Sequence, residues 1–192
     1  MSNTQALAAR RHCLAAMLVT MGLPTSALAT SAAFSVKELG DAWQDLPLRG
    51  RSMYRFWGLE IYEASLWLSP EAGLDWASNR LVLSLLYQRS FSAQAIVERS
   101  LQEMQKQGAL SPPMAQQWQH LLSQVLTDVR AGERLTVTYL PQRGLRFWHH
   151  ARRATLLGEM TDLGLCERFL GIWLSSSSTA PTLRQALLGI QS

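Results

Sequence analysis

The organisation of this 192-residue chain is built around one stretch, Arg49-Gly-Arg-Ser-Met-Tyr-Arg-Phe-Trp-Gly58-Leu-Glu-Ile-Tyr-Glu-Ala-Ser-Leu-Trp-Leu68. Aromatic and β-branched residues alternate loosely on both sides of Gly58, which predicts two strands, 51–57 and 59–68, joined as a hairpin. Three arginines lie at or just inside the start of the hairpin. We therefore expect a cationic cluster beside an apolar surface, which makes this hairpin the first candidate for a ligand-binding site.

The rest of the chain predicts an antiparallel sheet with helices on one face. Apolar or alternating runs predict further strands at 80–88, 134–141, 145–150 and 154–160. Helical spacing and capping residues predict helices at 92–108, from 111 onward, at 162–174 and from 181 to about 189. Segment 35–43 is predicted as a turn of helix or an edge segment. Because strands and helices do not alternate regularly, an α+β fold is expected rather than a parallel sheet.

The N-terminus has the pattern of an export signal. Arg10 and Arg11 precede a short apolar run, 13–23, and Ala27-Leu-Ala29 has the small-x-small form of a cleavage site. We expect residues 1–29 to be a signal peptide and residues 30–192 to be one domain, periplasmic or secreted. No later run reaches the ~18 apolar residues of a membrane span, so no spanning segment is expected.

Charge and motifs exclude several classes of function. Without residues 1–29 the formal charge falls from +4 to +2, and the arginines are scattered among acids, so nucleic-acid binding is not expected. The common nucleotide, zinc and serine-hydrolase motifs are absent, and we expect no cofactor. His149 and His150 should point to opposite faces of a strand, so no metal site is expected. Cys166, in an apolar helical pattern, is expected to be a buried small hydrophobe.

The arginines of the hairpin leave two readings open. They are either exposed strand ends, or one of them points inward and needs an anionic partner, since a buried unpaired charge is very costly. A guanidinium binds a carboxylate through two hydrogen bonds, and the Tyr62 hydroxyl could add a third. Together with apolar walls, these groups would form a pocket for a small apolar carboxylate.

Five stretches together resemble the bacterial, exported branch of the chalcone isomerase-like family. The match runs from about residue 43 to the C-terminus, which is nearly the whole of residues 30–192. They are Gly50-Arg-x-x-x-Arg-Phe-x-Gly-x-x-Ile-Tyr62-x-Ala-x-Leu-Trp67-Leu; Leu85-Leu-Tyr87-x-Arg-x-Phe91; Asp128-Val-x-x-Gly132-Glu-x-Leu-x-x-x-Tyr139-x-Pro141; and Phe169-x-x-Ile-Trp173-Leu with Leu183-Arg-x-x-Leu187-Leu-Gly189. The resemblance implies an open-faced sandwich, in which a large antiparallel sheet carries helices layered on one face with a ligand cleft between them.

The resemblance also implies a set of site residues. The plant enzymes of the family cyclise a chalcone with an arginine, a threonine, a tyrosine and an asparagine, and these positions fall here on Arg51, with Arg55 as the alternative, and on Tyr62, Phe91 and Glu98. Phe91 has no hydroxyl and Glu98 adds a negative charge, so both oppose that chemistry. We therefore assign no catalytic residue.

An arginine paired with a tyrosine instead resembles the non-catalytic members that bind fatty acids. The expectation is that Arg51 or Arg55 faces Tyr62 across the cleft and that the protein binds a fatty acid or a similar apolar carboxylate. Two alternatives remain: an intramolecular lyase of the chalcone isomerase type, and a protein-interaction module whose cleft is closed.

Overall fold

Six antiparallel strands form one sheet in the order of the sequence. The structure is a computed structural model, and it describes residues 34–190, so the expected signal peptide lies outside the described residues. The strands are β1 (Leu48–Phe56), β2 (Leu59–Leu68), β3 (Leu81–Tyr87), β4 (Arg134–Leu140), β5 (Gly144–His150) and β6 (Ala154–Met160), and each pairs with the next. The predicted strands are confirmed to within a few residues.

Strand β3 lies in the middle of the sheet and is buried on both sides. Leu81, Leu83 and Leu85 face the helices, while Val82 and Ser84 face the opposite side, and all five are buried. An almost continuous apolar run, as in this strand, is typical of a strand buried on both faces. A strand of this kind fixes the register of its neighbours, because a slip by one residue would exchange the two faces.

Four helices cover one face of the sheet. They are α1 (Ala93–Lys106), α2 (Pro112–Val125), α3 (Leu163–Leu174) and α4 (Pro181–Leu188). Ser92 caps α1 by accepting a hydrogen bond from the Ala95 amide at 3.2 Å, as the sequence predicted. Ser111 also precedes its helix as predicted, but its side chain forms no capping hydrogen bond. None of the helices between residues 34 and 190 combines the length and apolar composition that a membrane span requires.

The main core lies between the sheet and these helices. Its most completely buried members include Met104 of α1, Leu122 of α2, Leu165 and Leu170 of α3, and Leu187 of α4. Cys166 is fully buried among them, and its thiol donates to the Met160 carbonyl at 3.3 Å. The prediction that Cys166 behaves as a buried hydrophobe is confirmed.

The opposite face of the sheet is partly covered by the segment that precedes β1. This segment forms two short 3₁₀ turns, Val36–Leu39 and Asp41–Trp43. Its apolar side chains form a second, smaller core with two residues of the sheet: Val36, Leu39, Trp43 and Leu46 pack with Trp67 and Val82. The prediction of helices on one face is confirmed, and this segment gives the other face its own apolar cover.

Trp57 departs from the pattern of the other tryptophans. Trp43, Trp67, Trp118 and Trp173 are buried and contribute to the two cores. Trp57 instead lies at the tip of the β1–β2 hairpin with 90% of its surface exposed.

Candidate functional site

A cavity of about 310 Å³ lies between the helix-facing side of the sheet and the helices. Its wall is mainly aliphatic and aromatic. The sheet contributes Leu83, Leu85, Leu135, Val137 and Phe147, and the helices contribute Ile96, Phe169, Ile172, Trp173 and Leu183. A volume near the lower end of the ~300–1,000 Å³ range of ligand pockets suits a slender molecule.

A row of aromatic rings crosses three strands at one side of the cavity. Tyr54 of β1 pairs with Tyr62 of β2, which pairs with Tyr87 of β3. The Tyr54 and Tyr62 rings stack with their centroids 5.1 Å apart, and Tyr87 meets Tyr62 edge-on at 5.7 Å. Phe91 continues the row, 5.8 Å from Tyr87. Cross-strand neighbours on one face lie close enough for this contact, so the register of β1, β2 and β3 builds the row.

The tyrosine hydroxyls are the polar groups on the sheet side of the cavity. Trp173 Nε1 donates to the Tyr62 hydroxyl at 3.0 Å, which holds the oxygen but leaves its proton free. Within residues 34–190, no group accepts a hydrogen bond from the Tyr62 or Tyr87 hydroxyl. Burial raises the pKa of both tyrosines well above its ordinary value. Both hydroxyls therefore stay protonated at neutral pH and can donate to a ligand.

The charged groups of the cavity come from one face of α1. The Arg99 guanidinium bonds the Glu103 carboxylate at 2.7 Å, and Lys106 Nζ bonds the same carboxylate at 2.8 Å. The Thr179 hydroxyl, from the connection before α4, also donates to Glu103. Arg99 and Glu103 line the cavity, while Lys106 binds the same carboxylate from outside its wall. Counted together, the two cations and one carboxylate give this cluster a net positive charge.

Glu103 stays ionised although its side chain is almost completely buried. Burial alone would raise the pKa of Glu103, but the hydrogen bonds from Lys106 and Thr179 and the charge of Arg99 together lower it below its ordinary value. Arg99 is about half exposed, and its guanidinium lies 5.2 Å from the ring centre of Phe56. Since both Arg99 and the partly exposed Phe56 line the cavity, the cavity reaches solvent at this point.

Of the site residues expected from the sequence, Tyr62 and Phe91 line the cavity and the arginines of the hairpin do not. Arg51 lies on the opposite face of the sheet, where its Nε donates to Ser65 Oγ at 3.1 Å and lies 3.6 Å from Glu63. Arg55 forms an exposed ion pair with Glu60 at 2.6 Å. The expectation that Arg51 or Arg55 faces Tyr62 is therefore wrong, because strand alternation turns these side chains away from the cavity.

Glu98 also lies outside the wall of the cavity. It is exposed on α1 and accepts a hydrogen bond from Gln94 at 2.8 Å. The negative charge that was expected at this position to oppose cyclisation therefore does not lie in the cavity. Glu103, one helical turn and one residue further on, places a carboxylate in the cavity instead.

Sequence reasoning missed Arg99 and Glu103, although the sequence carries a signal for them. Both follow Ile96 at spacings of three and seven residues, which places them on the same face of a helix as that apolar side chain. The spacing of four between Arg99 and Glu103 also allows the ion pair that the structure shows. Charged residues on an apolar helix face are the ones to test as site residues.

Several polar groups outside the cavity have structural roles. Asp128 accepts a hydrogen bond from the Ala93 amide at 2.8 Å at the start of α1. Glu133 lies 3.0 Å from His149 Nε2 and accepts a hydrogen bond from the Arg130 amide. Among the described residues, no group of three potential ligands could hold a metal ion.

Comparison with known proteins places the chain in a family. No curated protein sequence matches the chain significantly. Its fold is similar to the crystal structure of a fatty-acid binding protein of Arabidopsis thaliana, with a TM-score of 0.55 and 13% sequence identity over 78% of this chain and 88% of the plant protein. The family model described as chalcone isomerase-like matches residues 33–189. The chain therefore belongs to the chalcone isomerase-like family.

Proposed function

We propose that this protein binds a fatty acid or a similar apolar carboxylate in the cavity and does not transform it. The observation that carries the proposal is a largely apolar cavity with one cationic end, at Arg99. The tail would lie against Phe147, Phe169 and Ile172, and the carboxylate would lie beside the Arg99 guanidinium. The name of the plant protein, a fatty-acid binding protein of the same fold, supports the same class of ligand.

The cationic end suits a carboxylate because Glu103 already has other partners. Lys106 and Thr179 bond Glu103 independently of Arg99. A ligand carboxylate could therefore share or take over the Arg99 guanidinium without leaving Glu103 unpaired. A guanidinium can donate to two carboxylates through different N–H groups, since it has five donors.

The first test measures binding of dodecanoic acid to delipidated protein by calorimetry. Ala95 lines the cavity, so Ala95→Trp fills space that the ligand needs and should weaken binding at least tenfold. Gln94→Trp places the same side chain on the exposed side of α1 and should leave binding unchanged. Absence of measurable binding by the unmodified protein, for saturated acids from octanoic to octadecanoic, would refute the proposal.

The second test separates recognition of the carboxylate from recognition of the tail. Arg99→Gln should weaken the binding of dodecanoic acid by about 1.5–3 kcal/mol, which is the contribution of a hydrogen bond to a charged group. The same substitution should change the binding of dodecanol much less. Arg143→Gln, an exposed arginine that does not line the cavity, serves as the control. Equal losses for the acid and the alcohol would show that Arg99 does not hold the carboxylate.

An intramolecular lyase remains the second candidate because of one observation. The Tyr87 hydroxyl lies in the cavity as a donor without an acceptor among residues 34–190, and a ketone oxygen could accept from it. Turnover of a chalcone above the solvent rate, lost in Tyr87→Phe and kept in the Arg143→Gln control, would favour the enzyme over the carrier. The closed cleft that an interaction module would require disagrees with a cavity of about 310 Å³.

We also propose that the chain belongs to the exported branch of bacterial members and reaches the periplasm or the medium. The support is the sequence of residues 1–29, with its paired arginines, apolar run and Ala-Leu-Ala ending. Expression of the full chain in a Gram-negative host should yield a product that starts at Thr30 in the periplasmic fraction. An uncleaved product confined to the cytoplasm would contradict export.

A further inference from the structure

The tip of the β1–β2 hairpin presents three large apolar side chains to solvent. Trp57 is 90% exposed, Leu59 49% and Phe56 45%. They follow one another around a two-residue turn, so they form one contiguous apolar tip rather than scattered surface residues. Exposed apolar patches of this kind mark surfaces that bind a partner or a membrane.

The backbone of the turn shows that Trp57 is not placed there by local preference. Trp57 and Gly58 both have positive φ, 52° and 77°, as a type I′ turn requires. Asparagine, aspartate or glycine is the usual residue at the first of these positions, and a bulky side chain there is an outlier. A tryptophan held in this conformation and exposed to water points to a function for its side chain.

The net positive charge of the molecule is concentrated at the same end of the sheet. Because all neighbouring strands are antiparallel, four connections lie at this end: 57–58, 88–92, 126–133 and 151–153. With the residues that flank the hairpin turn, they carry five arginines (Arg55, Arg89, Arg130, Arg152 and Arg153) and three carboxylates (Glu60, Asp128 and Glu133). The excess of two positive charges equals the formal net charge of residues 30–192.

Most of these arginines are free to meet an anionic partner. In residues 34–190, Arg89, Arg130, Arg152 and Arg153 form no ion pair, and all four are exposed. The carboxylates nearby are engaged: Asp128 bonds the start of α1 and Glu133 bonds His149. Only Arg55 is neutralised, by Glu60.

We propose that this end of the sheet docks on the surface of a lipid bilayer that contains anionic lipids, with Trp57 inserted at the level of the headgroups. Aromatic side chains that combine an apolar ring with a polar N–H prefer the membrane interface. Flanking cations add attraction to anionic headgroups. The apolar tip therefore matches the membrane interface, and the arginines without ion pairs in the described part of the chain match the anionic headgroups.

The position of the cavity suggests what docking would do for a ligand. Phe56 belongs to the apolar tip and also lines the cavity, where the Arg99 guanidinium lies over its ring. A docked tip would bring the solvent-accessible end of the cavity next to the bilayer, so that an apolar ligand could pass between the two with little exposure to water. Docking itself does not require a ligand, so its test is independent of the proposed carrier function.

The test is co-sedimentation of the protein with vesicles of phosphatidylcholine alone or of equal parts phosphatidylcholine and phosphatidylglycerol. We expect binding to the anionic vesicles that weakens as salt rises. Trp57→Asn should weaken it about tenfold or more, since it removes the largest apolar group of the tip. Asparagine suits the positive φ of this turn position, so the variant should fold. Leu74→Asn removes an exposed leucine from the opposite end of the sheet and should bind normally.

The charge contribution is tested with two double variants of equal net charge. Arg152→Gln/Arg153→Gln should weaken binding to anionic vesicles roughly 30-fold at low salt, from ~1 kcal/mol per arginine near the surface. Arg143→Gln/Arg146→Gln removes two exposed arginines at the other end of β5 and should have little effect. Failure of the unmodified protein to bind anionic vesicles, or equal binding by Trp57→Asn, would overturn the proposal.

Discussion

Replacement of Gly50 by alanine tests the packing of α4 on β1, which holds part of the cavity wall in place. A Cβ at position 50 would lie 2.1 Å from the Ala186 carbonyl oxygen and 2.5 Å from that of Leu187. Both are backbone atoms of α4, so no side-chain rotation can relieve the contact. The helix would have to move by about 0.9 Å to restore a separation of 3.0 Å.

The cost of this movement follows from what α4 buries. Leu183, Leu187 and Leu188 are at most 5% exposed and pack in the main core, and the Leu188 carbonyl accepts a hydrogen bond from Arg49 at 3.0 Å. Overpacking costs ~1–3 kcal/mol, and strain on this hydrogen bond adds to it, so we expect a total of about 2–4 kcal/mol. For a domain of this size, that lowers the melting temperature by roughly 4–16 °C.

Thermal and urea unfolding of Gly50→Ala and of a matched glycine variant measure this effect. A Cβ at Gly164, in the first turn of α3, would be 3.5 Å from the nearest atom, which is ordinary contact. Gly164→Ala should therefore leave stability unchanged or raise it by up to ~1 kcal/mol, because alanine loses less backbone entropy. If Gly50→Ala unfolds at the same temperature as the unmodified protein, the close approach of α4 to β1 is not as the structure has it.

Three further predictions concern buried groups. Burial raises the pKa of the Cys166 thiol to about 12, so a thiol reagent at pH 8 should label it only as fast as the protein unfolds; rapid labelling of the folded protein would contradict this. Burial, and then the charges of Arg134 and His149, lower the pKa of His150 from 6.5 to about 4. As pH falls, His150 therefore gains its proton in the unfolded chain before it does in the folded one. The free energy of unfolding should fall as pH drops from 6.5 towards 4, and it should fall less steeply in His150→Gln. Parallel pH profiles of the two proteins would exclude His150 as the cause. Tyr62→Phe should cost about 1–3 kcal/mol in urea unfolding, because it leaves the N–H of Trp173 without its acceptor; Tyr54→Phe, which removes a hydroxyl that forms no hydrogen bond within residues 34–190, should cost less.

The fold was predictable because its elements are marked locally. Strand β3 is short, apolar and bounded by polar residues, and Asp162 caps α3 by accepting from the Leu165 amide at 3.0 Å. The order of the elements excluded a parallel sheet. The apolar cover on the second face was not predicted, because segment 35–43 has weak periodicity and is ordered by contacts with Trp67 and Val82.

The faces of the first hairpin differ from the expectation for an identifiable physical reason. Arg51 and Arg55 are separated from Tyr54 and Phe56 by odd numbers of residues, so alternation alone turns the two sets to opposite faces. The strands also contain a bulge, since Tyr54 pairs with Tyr62 while Arg55 pairs with Glu60. The bulge lets the adjacent residues Ile61 and Tyr62 both line the cavity. Which set faces inward is fixed by packing against the helices, which is not encoded within the hairpin.

The ionisation states of the cavity groups suit the binding of a carboxylate that we propose. Cyclisation of a chalcone requires a group that handles a proton near neutral pH, and efficient proton transfer needs a pKa close to that range. Burial moves the pKa of Tyr62 and Tyr87 upward, away from neutrality, while the partners of Glu103 move its pKa downward. The described part of the cavity thus offers two neutral donors, Tyr62 and Tyr87, and the Arg99 guanidinium, which shares the ionised Glu103 carboxylate with Lys106. The hydroxyls and the guanidinium can hold a carboxylate in place by donating hydrogen bonds to it.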